Sequence, residues 1–168
     1  MTRTSRFTTA ATLLLAVLIM TFGCKSSNSD PTPTNLTSFQ GSWKITGLTV
    51  NPGYMGVTDL ATGLQLLGET CLKDAVITFN SNGTISNNLA TQASCTNATN
   101  TQKVIAAFFG PTTTYTESGA QATLVTNGQT VQATRVFTTT SSTVTAQLPY
   151  DLGGNAVATT YTVVLTKQ

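Results

Sequence analysis

The stretch Thr112–Leu148, TTTYTESGAQATLVTNGQTVQATRVFTTTSSTVTAQL, divides into four strand-like runs: TTTYTES, QATLVTN, QTVQATRVFTTT and STVTAQL. Asn127-Gly128 separates the second run from the third, and this pair suits a tight hairpin because both residues tolerate positive φ. Along the third run Val131, Ala133, Arg135 and Phe137 fall on one face, with Thr and Gln on the other. About thirty threonines in the chain after the first two dozen residues, joined by Val, Ile, Phe and Tyr, supply β-branched and aromatic side chains that fit a pleated surface. Short strands at this turn-marked spacing predict an all-β domain, either an up-and-down antiparallel barrel or a sandwich.

The same pattern extends outward in both directions. Beyond the Gly153-Gly154 turn, ATTYTVVLTKQ puts Tyr161, Val163 and Leu165 on one face of a last strand. Upstream, DAVITFN at 74–80, the turn SNG and TISNN form the firmest hairpin, with Ile77 and Phe79 on one side. QGSWKITGLTV at 40–50 reads as the first strand, with Trp43 and Ile45 on one face and Lys44, Thr46 and Leu48 on the other. Residues 51–70 are glycine-rich with weak periodicity, so a long connection with a short helix near Leu60 to Leu67 is expected, Leu66 and Leu67 packing inward or over an open end. KVIAAFF at 103–109 suits either a strand or one helical turn, since a short apolar run cannot be assigned by periodicity alone. The count is about eight strands, and no repeat of 20 to 50 residues is visible.

The N-terminus carries a different signal. Arg3 and Arg6, an apolar stretch from Ala10 to Phe22, and Gly23 before Cys24 form an export signal that ends where a bacterial lipoprotein is cut and acylated. The polar run KSSNSDPTPTN after Cys24 has the composition of a solvated spacer. The expected organisation is therefore a signal peptide at 1–23, a lipidated Cys24 with a flexible tether at 24–38, and one domain at 39–168 in the cell envelope, most naturally at the outer membrane. After Arg3 and Arg6 leave with the signal, six basic and six acidic side chains remain and none of the cations cluster. A nucleic-acid partner is excluded on that ground. The chain has no histidine, which removes the usual general base, zinc ligand and triad member together. With no paired carboxylates and no G-x-S-x-G motif, an enzyme is not expected, nor a metal or cofactor. In an exported chain the remaining cysteines, Cys71 and Cys95, are expected to form a disulfide.

Gly41-Ser42-Trp43-Lys44, Cys71-Leu72-Lys73-Asp74, TFNSNGT at 78–84, Cys95, and YDLGG followed by TYTVVLTKQ resemble, in order and spacing, the lipocalin-like lipoproteins of Gram-negative bacteria. The resemblance covers nearly the whole mature domain. It implies a lipocalin-like, calyx-shaped barrel in which Trp43 closes the narrow end beneath a basic side chain from the last strand, here Lys167. It also implies an apolar ligand cavity. If the Arg135 face points inward, Arg135 becomes a candidate anchor for the carboxylate or phosphate head of an amphiphile, because a charge inside an apolar cup needs a partner. Phe137 and Tyr161 are further candidate ligand contacts, although barrel aromatics more often pack than bind.

Two functions follow as expectations. The first is a monomeric, lipid-anchored protein that holds a small apolar or amphiphilic molecule in its barrel. The second is a non-enzymatic structural or interaction protein of the envelope, with a filled barrel and no small ligand. Large inward residues such as Phe79, Phe137, Leu148 and Tyr161 argue for a filled interior, and small ones such as Ala133 and Ala146 for a cup.

Overall fold

The structure, a computed structural model, describes residues 35–168; the expected export signal, Cys24 and residues 25–34 of the expected 24–38 tether lie outside the described residues. Nine strands form: β1 (Gly41–Tyr54), β2 (Val57–Asp59), β3 (Val76–Phe79), β4 (Ile85–Asn87), β5 (Thr114–Ser118), β6 (Gln121–Thr126), β7 (Gln129–Phe137), β8 (Ser141–Leu148) and β9 (Thr159–Lys167). All pairings are antiparallel, in the order β4-β3-β1-β9-β8-β7-β6-β5, with β2 folded back on β1 off this path. Each neighbour along this path is thus the next path strand in sequence, β2 aside, apart from β9, which returns to β1. This is a nearly closed eight-stranded up-and-down barrel. The seam between β4 and β5 is held by one bridge, Thr84 to Thr114, with Ile85 N donating to Thr113 O and Tyr115 N to Gly83 O.

Alternation places the side chains as the sequence predicts along most strands. Val131, Ala133 and Arg135 of β7 are buried while Gln132, Thr134 and Val136 face water, and Tyr161, Val163 and Leu165 of β9 all point inward. Asn127 and Gly128 turn the chain at φ 50° and 75°, the geometry for which this pair was selected. β1 departs from strict alternation. Its register against β9 shifts between Ile45 and Gly47, and this bulge returns Leu48 to the buried side with Trp43 and Ile45. The expected outward Leu48 is corrected by that one extra residue.

Among the described residues two α-helices interrupt the strands, one more than expected. The first, α1 (Leu60–Leu66), lies where the sequence placed a helix; Asp59 caps it, accepting from Thr62 N at 3.1 Å and Thr62 Oγ1 at 2.8 Å. α1 buries Leu60 and Leu64, whereas Leu66 and Leu67 stand in solvent at 82% and 69% exposure. The expectation that this pair packs inward is therefore overturned: Leu66, two residues past Leu64, falls on the far face of the helix, and Leu67 is its C-cap, where the helical path ends. The second helix, α2 (Thr99–Phe109), settles the KVIAAFF segment as helical and buries Thr101, Val104, Ile105, Phe108 and Phe109. One core cluster runs from Phe39 to Leu165, so the domain carries its own hydrophobic interior within the described residues.

Candidate functional site

One end of the barrel is closed by a layered stack. Trp43 is fully buried on β1, and its indole N–H donates to the carbonyl of Phe39. Opposite Trp43 in the β1–β9 register stands Lys167, whose Nζ lies 4.7 Å from the ring centroid and donates to the carbonyl of Gln40. The expected pairing of Trp43 with Lys167 is present as a cation–π contact. Burial lowers the Lys167 pKa from its ordinary value. The lysine crosses the backbone at Gly41, where a Cβ would meet Nζ at 2.7 Å and where φ is +101°, so glycine at this position serves both the left-handed backbone and the close approach.

Arg135 lies beside this stack with its side chain 4% exposed. Its Nη1 is 2.8 Å from Glu117 Oε1, an ion pair off the line of a hydrogen bond, and its Nε donates to the carbonyl of Gly119 at 2.9 Å. The guanidinium also covers the rings of Phe39 and Phe137, at 5.3 and 4.9 Å. Glu117 in turn accepts from Phe39 N at 2.7 Å and Ser38 Oγ at 3.0 Å. Arg135 points inward and Val136 outward, a direction the sequence left open. The carboxylate that its burial requires, however, comes from Glu117 rather than from a ligand, and the assembled group clamps residues 38 and 39 across the barrel base. Phe137 belongs to the same clamp, packed against Phe39 and Trp43.

The interior above the base is filled by α2. Ala122, Ala133 and Ala146 are opposed in register across β6, β7 and β8, and together they leave a recess in the wall. Phe108 and Phe109 occupy that space: Phe108 meets Tyr161 edge-on at 5.0 Å, and Phe109 meets Phe79 at 6.0 Å. Two cavities beside these rings hold about 10 Å³ each, one lined by Phe39, Phe79, Phe109, Tyr115, Ala122 and Leu124, the other by Phe108, Leu124, Val144, Ala146, Tyr161 and Val163. Such a volume admits about one water molecule. Tyr161 is 1% exposed, and burial, with the charge of Asp151 added, pushes its phenol up to about 12.

The helix is held chiefly at its ends. No side chain at the N-cap position, Ala98, satisfies its first turn; Glu69 does so from outside, accepting from the backbone and side chains of Asn100 and Thr101 at 2.8 to 3.1 Å. Desolvation pushes the Glu69 carboxyl up, but these bonds together outweigh it and hold the pKa below its ordinary value. The expected disulfide joins Cys71 to Cys95, two residues after Glu69 and four before α2. At the other end Asn87 Nδ2 donates to the carbonyl of Phe109 at 3.1 Å. Glu69 and Glu117 are the members that sequence reasoning missed, because each acts on a residue more than fifteen positions away. Among the described residues no group of three His, Cys, Asp or Glu side chains converges as a metal site would require. No family model matches the chain, and comparison with curated proteins and with solved structures finds no match.

Proposed function

We propose that this chain is a non-enzymatic protein of the cell envelope, lipid-anchored through Cys24, whose lipocalin-like barrel is a filled scaffold that works through its outer surface. The observation that carries this reading is the interior: α2 occupies the alanine-lined recess and leaves about 10 Å³ in each cavity, against the several hundred cubic ångströms of a small-molecule site. Native mass spectrometry of the unlipidated mature domain, purified gently from envelope extract, tests it. A clean apo mass is expected, and a reproducible extra mass that vanishes on denaturation overturns the filled-scaffold reading. Anchoring is tested separately by Cys24→Ser, which should release the protein from membranes; unchanged partitioning would sink the lipoprotein assignment.

A second reading, a barrel that holds a small apolar molecule, is favoured by one specific feature. The filling is not supplied by the strands alone but by a separate segment that bridges the weakest seam of the barrel.

A further inference from the structure

We infer that α2 is a displaceable plug, and that its withdrawal opens a cup for one neutral apolar molecule; the inference rests on the second reading above. The segment linking β4 to β5 carries α2, and those two strands are joined only through the Thr84–Thr114 bridge. The helix can therefore leave without breaking any full ladder of the barrel. Its hold on the interior is apolar and non-directional, through Val104, Ile105, Phe108 and Phe109, while its polar attachments sit at its two ends. A helix of this length is marginal on its own and depends on packing. The Cys71–Cys95 bond keeps the preceding turn in place, and Thr113 stays on the seam, so withdrawal is a local excursion of residues 96–112 on a fixed stalk.

The vacated space has a defined chemistry. Its wall is the alanine recess flanked by Leu124, Val144, Val163 and Phe79, and a ligand seated there regains the apolar burial that the plug gives up. The cation in the interior, Arg135, is already matched by Glu117. An ionised head group would enter without a partner, which is costly in an apolar cup, so the ligand is uncharged.

Hydrogen exchange and dye binding on the unlipidated mature domain test both parts, using neutral N-phenyl-1-naphthylamine and the related anionic dye 1-anilinonaphthalene-8-sulfonate. Amides of residues 99–109 should exchange at least about tenfold faster than those of β7 to β9. Glu69→Ala removes the cap and should speed exchange of α2 by roughly tenfold while leaving the strands unchanged. If the cup exists only when the plug is out, the same variant tightens the neutral dye by that same factor and leaves the anionic dye weak. Exchange of α2 in step with β7 to β9 overturns the plug. Faster exchange with no gain in neutral-dye affinity, or tighter anionic than neutral binding, overturns the cup. A clean apo mass from envelope extract would retire the second reading as the natural role without touching either result.

Discussion

At the scale of single residues, the buried charge of Arg135 decides what the barrel base does. A guanidinium at 4% side-chain exposure persists because Glu117, the Gly119 carbonyl and two aromatic faces surround it. Removing one partner strands the other. Glu117→Ala should therefore cost about 3 kcal/mol, and Arg135→Met, which leaves Glu117 its bonds to Ser38 and Phe39, should cost less. The double variant should lose less than the sum, and urea midpoints at unchanged slope measure the coupling; strict additivity would show that the pair is not a unit. Tyr161 gives a second test. Its folded pKa of about 12 lies above the ordinary 10.0, so the folded state keeps a proton that the unfolded chain releases. Stability is fully present below pH 10 and falls as pH rises toward 12. Urea midpoints between pH 9 and 12.5 should show that decline in the wild type and less of it in Tyr161→Phe.

Among the elements, those built from local alternation were legible and those built by distant partners were not. β7 and β9 show their inward faces in the bare sequence, and the Trp43–Lys167 pair followed from the resemblance, because these features depend on a period of two and on the first and last strands meeting. The helix α2 was ambiguous for a physical reason: its apolar run is short, and its N-cap position is Ala98, while the capping carboxylate is Glu69, some thirty residues away. Arg135 was legible as sharing a face with Val131, Ala133 and Phe137, but neither the inward direction of that face nor its partner was, since Glu117 reaches it from another strand. The disulfide was legible from export and cysteine count alone. It closes a separation of 24 residues beside the cap of α2, so replacing both Cys71 and Cys95 by Ala should lower stability by roughly 3 kcal/mol, less whatever native packing recovers. The barrel should survive: thermal melting should shift down while the near-ultraviolet signal of Trp43 persists, and loss of that signal at 25 °C would contradict the assignment of the bond to the plug's stalk.

For the molecule as a whole, the ring of strands has two joins of unequal strength, and the first and last strands meet at the stronger one. β1 and β9 pair over eight positions, Gln168 N donates to Ser42 O, and this long ladder links the two ends of the domain. The β4–β5 join has a single bridge, although its strands are closer in sequence. Native folding must therefore close its largest loop to form one of its longest ladders, which costs chain entropy before it is rewarded. A circular permutant that links Gln168 to Asn35 by a short Gly/Ser linker and opens between exposed Pro111 and Thr112 reverses this assignment. The β1–β9 ladder becomes local, and only the weak seam remains between distant segments. Refolding, followed through Trp43 on the β1–β9 join, should be faster than in the native order, because the long β1–β9 ladder is then closed by a short loop while the other ladders keep theirs. Equal or slower refolding at comparable stability would mean that the rate-limiting closure lies elsewhere, with the seating of α2 the next step to measure.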